Sequence, residues 1–201
     1  MIPVTTKDYR TLKVVLSGPG LQPLRQLLLN TPLQNGGKVV RLKPQQAIAA
    51  AALNLFGFSE AAGKMAAAAG RHHFTPQDNA LVEEAVHRLT KLAGMCNELI
   101  ADGETVNNSI SEYPALLAEG DDSNIIALSK VLHGNEVMLV YNTDGAEPRE
   151  RFITTGKAHT LKPLYGYDSN GHLHARTVKG SNRHYIKVYL KPLQLIVLQS
   201  I

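Results

Sequence analysis

The spacing of apolar residues changes its period near residue 110, and this change constrains the fold more than any other feature of the chain. From Thr75 to Ile100 apolar residues recur every three or four positions, which indicates an amphipathic α-helix. From Asn124 onward apolar and polar residues alternate, which indicates β-strands. We therefore predict an α+β protein. A mainly helical domain over residues 1–110 would pack on an antiparallel β-sandwich-like domain over residues 111–201.

The first residues of the clearest predicted helix indicate where it begins. Thr75 is suited to the N-cap, Pro76 to the first helical position, and Asp78 to the positive end of the helix dipole. The apolar stripe continues to about Ile100, and Asp102-Gly103 follows as a stop. We expect one helix between these two signals.

Weaker patterns precede that helix. The segment from Gln45 to Phe56 is rich in helix formers, Gly57 should end or kink this helix, and Ser59 should start a further one. A short strand over residues 11–16 and a short helix over residues 21–30 are also predicted.

The pattern of the second half of the chain predicts seven short strands separated by turns that contain Gly, Asn, Asp and Ser. His133-Gly134-Asn135 marks a hairpin turn between the first two, and Pro192 should mark an edge or a bulge. The predicted strands are Asn124 to Leu132, Glu136 to Asn142, Arg151 to Thr155, Thr160 to Leu164, Leu173 to Val178, Tyr185 to Leu190 and Gln194 to Leu198.

Composition argues against several functional classes. The net charge is only +4, and the 21 Lys and Arg residues are scattered, so no nucleic-acid partner is expected. Residues 47–69 are apolar but consist mostly of alanine and contain Glu60 and Lys64 at helical spacing, so no membrane association is expected. The first residues lack the apolar core of a signal peptide, and we expect a cytoplasmic location.

Three segments of the second half carry a resemblance to a known family. They are Tyr113-Pro114-Ala115-Leu116, Gly134-Asn135-Glu136-Val137 and the final run from Tyr189 to Leu198. Their order resembles the C-terminal region of α-amylase-type glycoside hydrolases of family 13, in which a last barrel helix leads into an antiparallel β-domain. The resemblance covers about residues 80–201. It implies a place beside a catalytic barrel but brings no catalytic residue with it.

The carboxylates of this family's active site have no counterpart in the sequence. Retaining glycoside hydrolysis needs two carboxyl groups about 5 Å apart, and in the family the nucleophilic Asp follows an Arg by two positions on a barrel strand. No segment here matches that context. The barrel itself takes roughly 200 to 250 residues, more than the first half provides. We therefore expect a non-catalytic carbohydrate-linked accessory or interaction protein.

Two alternatives remain open. One is a glycosidase segment or subunit that acts on α-glucans, and the other is a small-ligand or sugar-binding module. The expected partners are a carbohydrate, a second copy of the chain or another protein.

Four tyrosines are the candidate sugar-binding residues. Tyr165 and Tyr167 are two positions apart, and Tyr185 and Tyr189 are four apart, so each pair would share one face of a strand. Exposed rings there could stack on a pyranose, and buried rings would only pack.

Three histidines are candidate ligands of a metal ion. His172 and His174 would share a strand face, and His184 would lie across from them. No cysteine or acidic ligand stands at a supporting spacing, so solvated histidines are the favoured interpretation. Glycine-rich segments lack the phosphate-binding contexts, and no cofactor is expected.

Overall fold

The computed structural model describes residues 43–63, 75–117, 122, 124–157, 160–168 and 171–201. The strand predicted over residues 11–16 and the helix predicted over residues 21–30 lie outside the described residues. The chain divides into two units, Met1–Met95 and Cys96–Ile201. The first contains helices and the second contains two antiparallel sheets, so the predicted α+β class is confirmed.

The first described helix, α1, spans Pro44–Leu55, close to the predicted bounds. Its first position is the proline, and the backbone N–H of Lys43 donates to Oε1 of Gln46 at 2.9 Å. Gly57 has φ 81°, a left-handed conformation that ends the helix after Leu55 as predicted. Residues 59–63 are helical again. The continuation predicted from residue 64 lies outside the described residues.

The second helix, α2, spans Pro76–Met95 and packs against α1. Its start is the predicted cap. Thr75 Oγ1 accepts from the N–H of Asp78 at 3.1 Å, and Asp78 Oδ2 accepts from the N–H of Thr75 at 3.0 Å. Val82, Ala85 and Leu89 lie on its buried face.

The predicted single helix to residue 100 is interrupted at Cys96. The backbone there has φ −105° and ψ 17°, and a separate helix, α3, spans Asn97–Asp102 in the second unit. The expected stop is present, because Gly103 is extended and its N–H donates to the carbonyl of Leu99 at 3.0 Å. The second unit begins at Cys96 and includes α3.

The described residues of the second unit form ten strands. They are β1 (Glu104–Asn107), β2 (Ile110–Ser111), β3 (Ile125–Leu132), β4 (Asn135–Asn142), β5 (Arg149–Thr155), β6 (Thr160–Tyr165), β7 (Leu173–His174), β8 (Arg176–Thr177), β9 (His184–Leu190) and β10 (Leu195–Ser200).

The strands form a six-stranded sheet in the order β1-β3-β4-β10-β6-β7 and a four-stranded sheet in the order β2-β5-β9-β8. All pairs are antiparallel.

The predicted hairpin joins β3 to β4. Leu132 pairs with Asn135, so the loop is His133-Gly134, and both residues have positive φ, at 49° and 84°. A two-residue loop with both residues left-handed matches the right-handed twist of the flanking strands. The hairpin prediction is confirmed.

Two short connections pass from one sheet to the other, and neither was predicted. β1 and β2 are separated only by Asn108 and Ser109, and β7 and β8 only by Ala175. The strand predicted from Leu173 to Val178 is therefore two strands in different sheets. Pro192 lies in the turn before β10 and not at a strand edge or bulge, and the register irregularity of β10 lies between Val197 and Leu198.

Both sheets contribute to one apolar core, which makes the unit a sandwich. Its buried members are Ile110, Ile125, Ala127, Met138, Val140, Ile153, Leu161, Ile186, Val188, Leu190, Ile196 and Leu198. The other face of the six-stranded sheet is also buried at Val137, Leu139, Tyr141, Leu195 and Val197. Helix α3 packs on β3 and β4.

Among the described residues, no helix is both long and apolar enough to cross a membrane.

Candidate functional site

Two of the four candidate tyrosines lie on the solvent side of the four-stranded sheet. Along β9, Ile186, Val188 and Leu190 are buried in the core, so the alternate residues Tyr185, Lys187 and Tyr189 point outward. Tyr189 is 52% exposed. The predicted pairing of Tyr185 and Tyr189 on one face is present in the structure.

Strand β5 adds two side chains to the same surface. Glu150 pairs with Tyr189 and Phe152 pairs with Lys187, and residues paired across an antiparallel ladder share a face. The name "tyrosine face" is used below for the surface formed by Glu150, Phe152, Tyr185, Lys187 and Tyr189.

Contacts within the tyrosine face hold its centre in place. The rings of Phe152 and Tyr185 meet edge to face, with centroids 5.5 Å apart and an interplanar angle of 78°. Lys187 Nζ lies 5.8 Å from the centroid of the Phe152 ring and 2.8 Å from Glu150 Oε1. The lysine thus links the aromatic pair to the carboxylate beside Tyr189.

The other two candidate tyrosines lie elsewhere in the sandwich. Tyr165 is the last residue of β6, in the six-stranded sheet, and pairs with Val197. Tyr167 follows β6 and packs against the core between the sheets, where burial raises the pKa of its hydroxyl. The structure therefore does not place the four tyrosines on one common platform.

The candidate histidines make local polar contacts. His174 Nδ1 lies 3.0 Å from Thr160 Oγ1 in the six-stranded sheet, and His184 Nδ1 lies 3.2 Å from Thr177 Oγ1 in the four-stranded sheet. His172 is exposed. In the part of the chain that the structure describes, no group of three or more His, Cys, Asp and Glu is arranged to hold a metal ion.

Two carboxylates bind the same arginine side chain in the second unit. Arg151, 8% exposed, places Nε 2.6 Å from Asp122 Oδ2 and Nη2 3.0 Å from Glu112 Oε1. Burial acts to raise the pKa of Asp122, but the N–H of Asn124 and the guanidinium of Arg151 outweigh it, and the pKa lies below its usual range. Asp122 is therefore held as a carboxylate.

A second acid, Asp144, organises the loop between β4 and β5. Arg149 Nη2 donates to its Oδ2 at 2.6 Å, and the N–H groups of Ala146 and Glu147 donate to its Oδ1. The hydrogen bond from Arg149 and these two N–H groups lower the pKa of Asp144 to about 2. This carboxylate shapes the loop.

A third acid, Glu136, is fully buried between the sheets. Ser129 Oγ donates to its Oε1 at 2.6 Å, and the N–H of Gly156 donates to its Oε2 at 3.0 Å. Asn108 Nδ2 donates to Ser129 Oγ at 2.6 Å. The acid of the Gly-Asn-Glu-Val segment thus connects the β1–β2 crossing, through Ser129 of β3, to the residue that follows β5.

These arrangements differ in what they can do chemically. The three acid clusters use their oxygen atoms to hold loops and strands. The tyrosine face offers an exposed ring, a carboxylate acceptor and an ammonium donor side by side, which is a binding surface. The sequence alone could not identify Glu150 and Phe152, because only the register of β5 against β9 places them beside the tyrosines. Lys187 was also missed, although its alternation with Tyr185 and Tyr189 along β9 is a signal that could have identified it.

No protein-family model matches the chain, and no curated protein matches it either. Solved structures do match. Trehalulose synthase MutB from Pseudomonas mesoacidophila MX-45 is 15% identical over 68% of this chain, with a TM-score of 0.39. Isomaltulose synthase PalI from Klebsiella sp. LX3 is 14% identical over 68%, with a TM-score of 0.38. An AmyP variant in complex with maltotriose is 12% identical over 61%, with a TM-score of 0.43.

These matches are enzymes of glycoside hydrolase family 13, the family that the sequence resembles. The aligned part amounts to 21% of the AmyP chain and 23% of each of the other two, so this chain spans about a fifth of their length. With TM-scores below 0.5, no conclusion about activity or site residues follows from them.

Proposed function

We propose that the chain is a non-catalytic, carbohydrate-linked accessory or interaction protein that resembles the C-terminal part of an α-amylase-type enzyme. The observation that carries this proposal is the sharing of one guanidinium by Glu112 and Asp122. A pair of acids within reach of each other is the feature that would favour the enzyme alternative. Here the two acids instead bind Arg151 and have a structural role.

Glycoside hydrolysis by two carboxyl groups requires that one of them remain protonated until it donates to the leaving oxygen. A glycosidase raises the pKa of that group by placing it in apolar surroundings. Here Arg151 and the N–H of Asn124 lower the pKa of Asp122. A carboxylate held ionised against an arginine is a poor proton donor, and its oxygen atoms already have partners.

Two other acids support the same conclusion. Asp144 is bound by Arg149 and two backbone N–H groups, and Glu136 by Ser129 and Gly156. Acting as a nucleophile would cost each of them the contacts that hold a loop or a strand end. The alternative, a segment that completes a glycosidase, would draw its catalytic groups from outside these clusters.

The test is an assay of the full chain with maltotriose and maltoheptaose. Binding is measured by calorimetry, and new reducing ends are measured on the same samples. Binding without release is the expected result. Release above that of a heat-denatured control would overturn the proposal in favour of the enzyme alternative. If neither binding nor release occurs, the carbohydrate link is contradicted and a structural or partner-binding role remains.

A further inference from the structure

The tyrosine face differs from an ordinary solvent-exposed sheet surface. A sheet that faces water usually presents short polar and charged side chains, yet three aromatic rings occupy outward positions on β5 and β9. Two of the rings, Phe152 and Tyr185, contact each other. Tyr189 is left with about half of its surface exposed, at 52%, and has no ring contact among the described residues.

The polar groups around Tyr189 are fixed by the sheet register. Glu150 is its direct partner across the ladder, so their Cβ atoms are about 5 Å apart on the same face. Lys187 is two positions earlier on the same strand and bonds to Glu150. An acceptor and a donor thus flank the exposed ring, and Lys187 is itself held over Phe152.

The two charges that flank Tyr189 compensate each other. Lys187 and Glu150 form an ion pair of 2.8 Å, with side chains that are 52% and 55% exposed. A charged ligand would compete with this pair and gain little net attraction. A neutral ligand with hydroxyl groups can accept from the ammonium and donate to the carboxylate without breaking the pair.

The size of the apolar area favours a small ligand over a protein. A stable protein interface buries about 800 Å² on each partner. One fully buried aromatic side chain contributes about 150–250 Å², and Phe152 and Tyr185 are already partly buried. The three rings therefore supply well under the area that a protein partner needs, but enough for one or two sugar rings.

From these observations we propose that the tyrosine face binds a neutral pyranose sugar, with the sugar ring stacked on Tyr189 and its hydroxyls bonded to Glu150 and Lys187. This assignment rests on the carbohydrate link of the proposed function and adds the site and the ligand class. The apolar C–H face of a pyranose matches the ring, and the hydroxyls at its edge match the flanking pair.

The test is a titration of the full chain with maltoheptaose, in which binding is monitored through the backbone amide resonances in NMR spectra. We expect shifts confined to β5 and β9. We expect Tyr189→Ala to weaken binding about tenfold or more, because removing a stacked ring removes most of the contact. Tyr189→Phe should stay within about threefold of the wild-type protein, because the ring is kept.

Tyr113 offers a matched control, because it is also an exposed tyrosine, at 61%, and lies outside the tyrosine face. Tyr113→Ala should bind like the wild-type protein. Raising the salt concentration should change the affinity by less than about twofold, since the ligand is neutral. Each variant is first compared with the wild-type protein by circular dichroism, which verifies that the sheets are intact.

Three results would overturn the site. They are no binding of maltoheptaose by the wild-type protein, shifts that centre outside β5 and β9, and equal weakening by Tyr189→Ala and Tyr113→Ala. None of them requires sugar release. Conversely, release of reducing ends by the wild-type protein would overturn the non-catalytic function but not the site, so the two failures are distinguishable.

Discussion

Asn142 at the end of β4 is the position at which a single amide should matter most for stability. Its side chain is fully buried. Nδ2 donates to the carbonyl of Glu147 at 2.9 Å and to that of Lys191 at 3.1 Å, and Oδ1 accepts from the N–H of Asp144 at 3.0 Å. One side chain therefore ties the β4–β5 loop to the turn between β9 and β10.

Replacing this residue by alanine removes three hydrogen bonds and leaves three backbone groups without those partners. A buried group left without a partner costs about 1–3 kcal/mol, and groups that regain water cost less. Glu147 and Lys191 are exposed, so water can reach their carbonyls. We expect Asn142→Ala to lower the free energy of unfolding by about 2–4 kcal/mol, a large part of the 5–15 kcal/mol typical of a domain.

Asn142→Asp should be less stable than Asn142→Ala although it is nearly isosteric. The introduced carboxylate could still accept from the N–H of Asp144, but it would face two carbonyl oxygens with no proton to donate. Asn107, exposed on β1, provides the control, and Asn107→Ala should change stability by less than about 0.5 kcal/mol.

The assay is urea unfolding at neutral pH, followed by far-ultraviolet circular dichroism and by tyrosine fluorescence. Two probes are needed because the chain has two units, and only the unfolding of the second unit should change in these variants. The reasoning would be refuted if Asn142→Ala unfolded within about 0.5 kcal/mol of the wild-type protein, or if Asn142→Asp were as stable as Asn142→Ala.

Two further predictions concern the same unit. Arg149 lowers the folded-state pKa of Asp144 to about 2, so this carboxylate stabilises the fold above its ordinary pKa of about 3.9 and loses that contribution as the pH falls toward about 2. The urea midpoint of the wild-type protein should therefore fall more steeply between these two pH values than the midpoint of Asp144→Asn. Parallel curves for the two proteins would contradict this prediction. Gly166→Ala should destabilise by several kcal/mol, because φ is 70° and a Cβ would collide with the carbonyl of Leu195. Gly180→Ala, with φ 79° and open space around it, should cost only about 1–2 kcal/mol, and equal thermal shifts in the two variants would contradict the steric account.

Local sequence signals predicted the elements whose hydrogen bonds are made between near neighbours in the chain. The cap of α2 is formed by Thr75 and Asp78, three residues apart, and the β3–β4 hairpin is closed by two adjacent residues. The break at Cys96 was missed, because the apolar stripe continues through it into α3.

The candidate site could be predicted only in part. The spacing of Tyr185 and Tyr189 predicted that they share a face, since strand geometry fixes this without any partner. The same argument could not show that Tyr167 turns into the core, because it lies beyond the end of β6. Glu150 and Phe152 join the tyrosines only through pairing across the ladder of β5 and β9.

The sequence by itself determined the α+β class, the start of α2, the β3–β4 hairpin and the shared face of Tyr185 and Tyr189. Each depends on periodicity or on turn and cap chemistry within a few residues. The tertiary structure alone decided how ten strands divide between two sheets, where β1–β2 and β7–β8 cross, and which side chains surround Tyr189. These choices depend on contacts between residues far apart in the chain, such as Glu150 with Tyr189 or Asp122 with Arg151, and no local pattern encodes such pairings.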